Sequence, residues 1–90
     1  MKENLEELRS ELDKADAEIE KNFVKRMEIS AKIAAYKEAN GLPTYDPERE
    51  KKVLEKHAGN VAPEFREYIK DIWMQLIRIS KEYQNEIREK

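Results

Sequence analysis

The run LEELRSELDKADAEIEKNFVKRMEISAKIAAYKE, residues 5–38, holds neither Gly nor Pro, and at the α-helical rise it predicts one helix about 50 Å long. Its apolar positions recur at alternating spacings of three and four: Leu5, Leu8, Leu12, Ala15, Ile19, then Ile29, Ile33 and Tyr36. That rhythm is a coiled-coil-like seam. Between Ile19 and Ile29 the seam asks for two more apolar residues, and the sequence has Asn22 and Arg26 instead. A guanidinium therefore stands in the middle of an otherwise apolar stripe.

Outward from this run, the boundary signals are clear. Asn4 is a good N-cap, with Glu7 three residues later to complete a capping box. Asn40-Gly41 supplies the C-terminal stop and Pro43 forbids continuation. Asp46-Pro47-Glu48 then reads as N-cap, first-position Pro and first-turn acid, which starts a short second helix that ends near His57-Ala58-Gly59. Pro63-Glu64 opens a third, which carries two apolar stripes. One stripe is Phe65, Ile69, Ile72, Leu76, Ile79 and Tyr83; the other is Trp73, Ile77 and Ile87, interrupted by Ser80 and Gln84. A helix so patterned is expected to be buried on two sides. The expectation is an all-α chain in one domain, 1–90, with helices over about 5–38, 47–57 and 63–88.

Twenty acids against 18 bases leave a net charge of −2, so no electrostatic attraction to nucleic acid or to a membrane surface is implied. Without Cys there is no disulfide framework or thiolate metal site. The first residues contain no apolar run, and the expectation is a soluble cytoplasmic protein. An apolar share of 39% is low for a small chain that must bury its own core. A helix of about 50 Å cannot be covered by the residues that follow it, and the exposed seam predicts a two-fold homodimer.

Several polar residues fall on these apolar faces. Arg26 needs an anion or an escape to solvent, since burying a guanidinium unpaired costs several kcal/mol; an internal Glu would serve as well as a ligand. Lys37 lies eleven residues on, within about 20° and about 16 Å of it along the axis, close enough for two long side chains to converge on one anion. Ser80 and Gln84 are an i, i+4 pair, aimed at one point or bonded to each other. Asp46, Arg49 and Glu50 open the second helix, where capping accounts for Asp46. Arg9 is about 25 Å from Arg26 and rotated by about 100°, so only in an antiparallel dimer could a partner's Arg9 approach it. His57 reads as a helix-end imidazole serving the dipole, and Trp73 as core.

Together these residues resemble the all-helical chorismate mutases of the AroQ type, which occur free-standing or fused to other shikimate-pathway enzymes. The resemblance rests on Leu8-Arg9 followed by Leu12-Asp13 and Asp16, on Arg26, Lys37 and Asp46-Pro47-Glu48-Arg49-Glu50, and on Ser80 with Gln84. It implies an intertwined homodimer that converts chorismate to prephenate without metal or cofactor. It further implies that Arg26 and the partner's Arg9 bind the two substrate carboxylates. Lys37 would contact a carboxylate and the ether oxygen, and Gln84 would donate to that oxygen. Ser80 would support the ring carboxylate, Glu50 and the Asp46 region would hold the ring hydroxyl, and Arg49 would brace them. No nucleic-acid or membrane partner is implied, and another shikimate-pathway enzyme is a conceivable one. Two rival readings stay open: an isochorismate pyruvate lyase of the same fold, and a non-catalytic helical dimerisation or regulatory module.

Overall fold

A computed structural model describes residues 4–90, so the first three residues of the expected 1–90 domain lie outside it. Helix α1 runs Leu5–Ala39, α2 Pro47–Gly59 and α3 Arg66–Glu89, the last preceded by a 3₁₀ turn over Pro63–Phe65. The capping signals operate as their chemistry requires. The Asn4 side chain accepts from the Glu7 amide at 2.8 Å, closing off an otherwise orphan N–H. Gly41 takes the left-handed conformation at φ +64°, the geometry that ends α1 without a Cβ penalty. Asp46 Oδ1 accepts from the Arg49 amide at 3.1 Å, and Pro47 occupies the first turn of α2. Each helix ends one or two residues later than expected, and the larger departure is the 3₁₀ turn, where the sequence predicts α-helix from position 63.

Helix α3 is the shared element: α1 and α2 each pack on it and not on one another. Its buried face is the interrupted stripe, with Ile77, Ser80 and Gln84 inside. The other stripe is open at Phe65, 51% exposed, and Ile72, 54% exposed. The rest of that stripe, Ile69, Leu76, Ile79 and Tyr83, is half-buried, so the single chain covers the second side of α3 in part. The buried apolar residues Ala34, Val53, Ala58 and Ile77 make a small core, and no large side chain is fully enclosed.

The dimensions explain why. The Cα atoms span 58 × 27 × 14 Å, a long, slender shape set by the length of α1. So slender a body has little interior. The seam of α1 accordingly stays open, with Leu12 at 59% and Ile19 at 66% exposure, which is a larger run of uncovered aliphatics than a soluble chain normally leaves to water. Among the described residues no helix is long and apolar enough to cross a membrane.

The end of α3 is clasped to its neighbours by Arg88. Its guanidinium donates to Glu38 Oε2 at 2.8 Å, to Thr44 Oγ1 at 2.9 Å and to the Leu42 carbonyl at 2.6 Å. One planar fork thereby joins α3 to the end of α1 and to the connector that follows. Arg88→Ala is expected to lower the unfolding free energy by about 1–2 kcal/mol, the scale of charge-assisted hydrogen bonds partly open to water. Urea denaturation checks this; a change within about 0.5 kcal/mol would show the clasp to be ornamental.

Candidate active site

The α-helical period decides which α1 side chains share a face. Arg26, Ser30, Ile33 and Lys37 project within about 60° of one another, and all four border a single cleft. Its opposite wall is the polar stretch of α3, Ile77, Ser80, Lys81 and Gln84, and its end is closed by Thr44, Asp46, Arg49 and Val53. The cleft volume is about 410 Å³, room for a molecule of roughly ten to twenty heavy atoms.

Lys37 is fixed by its Nζ, which donates to the Thr44 carbonyl at 3.0 Å. Deeper in, a hydroxyl relay ties the two long helices together. Ser30 Oγ and Ser80 Oγ are 2.8 Å apart, and Gln84 Nε2 donates to Ser80 Oγ at 3.1 Å. All three residues are buried, which makes these neutral bonds worth more here than at a surface. Gln84 Oε1 is buried with no hydrogen-bond partner, a cost of about 1–3 kcal/mol unless a donor meets it.

The electrostatics are one-sided. Burial, and after it the neighbouring Arg49 guanidinium, push Arg26 below the ordinary arginine range; the group remains a cation, since arginine does not deprotonate in proteins. Among the described residues no carboxylate forms an ion pair with Arg26, Arg49 or Lys37. Arg26 rests instead over Trp73, its Cζ 5.0 Å from the ring centroid, a contact that offsets part of its desolvation without neutralising it. Three cations therefore face one small volume with no protein anion paired to them. Such an arrangement is unfavourable alone and becomes favourable when an anionic ligand enters.

The family model for chorismate mutase type II matches residues 8–85. This chain belongs to that family. It is similar to the T-protein of Haemophilus influenzae, at 43% identity over 53 residues, covering 59% of this chain and 14% of that protein. It is also similar to the bifunctional chorismate mutase/prephenate dehydratase of Aquifex aeolicus, at 39% identity over 54 residues, covering 60% of this chain and 15% of that protein. The chain thus spans roughly a seventh of the length of these curated relatives. No solved structure matches it significantly.

Within this chorismate mutase type II chain the structure brings Arg26, Lys37, Asp46, Arg49, Ser80 and Gln84 to one cleft. Glu50 stands just outside, bordering a shallow surface groove with Tyr45 and Pro47. Its Oε2 is in ion contact with Lys81 Nζ at 3.1 Å, though not in hydrogen-bonding alignment. Arg9 is exposed on the far part of α1 and does not reach the cleft of its own chain. Among the described residues no internal Glu pairs with Arg26. Sequence reasoning missed Ser30, although its place four residues after Arg26 was a usable signal. It also missed Thr44, whose part is played by a backbone carbonyl that no side-chain pattern announces, and the stacking of His57 on Trp73 at 3.9 Å between centroids.

If Arg26 is kept for a ligand and not for the fold, removing its charge should not weaken the protein. Arg26→Leu keeps an apolar body against Trp73 and relieves the repulsion from Arg49, so its unfolding free energy should equal or exceed the parent's, by up to about 1 kcal/mol. A loss greater than about 1 kcal/mol in urea denaturation would instead make Arg26 a structural residue.

Proposed function

We infer that the protein is a chorismate mutase, rearranging chorismate to prephenate in the cleft between α1, α2 and α3. The observation that carries this reading is the set of unpaired cations, Arg26, Lys37 and Arg49, around a volume of about 410 Å³. Membership of the chorismate mutase type II family supports it. Chorismate is a dicarboxylate, and its conversion is an intramolecular Claisen rearrangement in which a C–O bond breaks as a C–C bond forms. No nucleophile attacks and no proton is transferred in that step. What the site must supply is a folded substrate conformation and stabilisation of charge on the ether oxygen.

The side chains are suited to those two tasks. Arg26 takes one carboxylate, held from behind by Trp73. Lys37, steadied by the Thr44 carbonyl, reaches the other side of the substrate and the ether oxygen. Gln84 is the second donor to that oxygen. As oriented, its amide leaves Oε1 orphaned; a half-turn lets Ser80 Oγ donate to Oε1 and frees Nε2 to donate into the cleft. Preorganised donors of this kind are typically worth about 3–4 kcal/mol each. Ser80, engaged by Ser30 and Gln84, supports the ring carboxylate and fixes the amide. Asp46 and Glu50 hold the ring hydroxyl, with Arg49 bracing them. The second carboxylate takes the partner's Arg9 in a two-fold dimer, an arrangement consistent with the open seam of α1.

Two incubations test the proposal. With chorismate the purified protein should form prephenate, and with isochorismate it should release no pyruvate. Pyruvate from isochorismate without prephenate from chorismate makes it a lyase of the same fold, and inertness toward both leaves a helical interaction module. The rate should also show no requirement for acid, because a primary amide at position 84 has no proton to gain above about pH 3. A rate that climbed steeply only below about pH 5 would contradict the role given to Gln84.

A further inference from the structure

Behind the cleft, outside its lining, the Trp73 ring that supports Arg26 has a second partner that the reaction described above does not use. The imidazole of His57, on α2, stacks on the indole of Trp73, on α3, with centroids 3.9 Å apart and planes within 5° of parallel. The same indole carries the Arg26 guanidinium of α1, Cζ 5.0 Å from its centroid. One ring thus links all three helices, and α1 and α2 meet only through α3. We propose that His57 is a positioning residue for Arg26, acting through Trp73: the stack fixes the plane of the indole, and the indole fixes the guanidinium that takes the substrate carboxylate.

The surroundings of His57 keep it in the form that such a role needs. Facing it are Lys56 and Arg49 of its own helix, Arg26 of α1 and the uncharged Trp73 of α3, with no acid in the set. Burial first, and then those three cations, lower its pKa below the usual imidazole value. A neutral imidazole adds a flat ring to the stack. An imidazolium would compete with Arg26 for the electron-rich indole face and would repel it. The helix-dipole role that the sequence suggests for His57 calls for the charged form, which this environment opposes.

Trp73 is the chain's single tryptophan, so its fluorescence reports on this stack alone. In substrate-free protein the emission should fall as pH drops through a midpoint below 6.5, because a stacked imidazolium quenches indole. The transition should vanish in His57→Phe. Its midpoint should rise in Arg26→Leu, which removes one of the repelling charges. The second arm rests on the chorismate mutase reading. His57→Ala should raise KM for chorismate about three- to tenfold with kcat within twofold, the loss expected for an interaction equally present in ground and transition states. His57→Phe, which restores a flat ring, should restore KM.

A midpoint indifferent to Arg26→Leu, an unaltered KM in His57→Ala, or equal impairment in the Ala and Phe variants would each overturn the proposal. If the parent protein does not consume chorismate, the functional reading fails, and the substrate-free fluorescence arm still decides whether His57 and Arg26 are coupled.

Discussion

Everything in this structure turns on a cation that has no counter-ion. Arg26 sits part-buried on the inner face of α1, over an indole and near a second guanidinium, and among the described residues no carboxylate pairs with it. A chain selected only for stability has a simple remedy, an apolar residue in the seam or an acid across from it. Neither is present. The cost is borne by the rest of the fold: Trp73 supplies an electron-rich face, and His57 backs that face in its uncharged form. Lys37 is set about three turns away, where its repulsion of Arg26 is weak and both can still reach one ligand.

The second constraint is the shape of the chain. Three helices in so slender a shape enclose only a small core, and they leave a row of aliphatics along α1 in contact with water. One stripe of α1 serves two ends: its later part, from Arg26 to Lys37, borders the cleft, and its earlier part, from Leu5 to Ile19, is open to a second copy. Under the proposed dimer the two requirements meet, since the copy that covers the seam also brings an arginine to the cleft. The connector and the end of α3 are held by Arg88, which keeps Thr44 where its carbonyl can accept from Lys37. A clasp at the periphery and a donor in the site are in that sense one network.

Much of this was legible in the residues themselves. The ends of α1 and the start of α2 follow from Asn4, Gly41 and Asp46-Pro47, because capping chemistry is local. The convergence of Arg26 with Lys37, and of Ser80 with Gln84, follows from helical period alone. What periodicity could not decide is how fully each of the two apolar stripes on α3 would be covered by its own chain; that depends on where α1 and α2 dock, and they bury the stripe broken by Ser80 and Gln84 more deeply than the other. The same limit hid the His57–Trp73 stack, whose rings come from different helices, and the Arg88 clasp, one of whose acceptors is a backbone carbonyl. Nor did periodicity show that Glu50 would be held by an ion contact with Lys81 of the cleft wall.

The central claim is that one chain's cleft is completed by the arginine of another, and subunit mixing tests it most directly. Arg9→Ala and Arg26→Leu proteins should each be nearly inactive toward chorismate. Unfolded together in equal amounts and refolded, they should recover about a quarter of parental activity, because half of the dimers are mixed and each mixed dimer holds one intact site of two. Full activity in Arg9→Ala alone, or no recovery on mixing, would contradict the account.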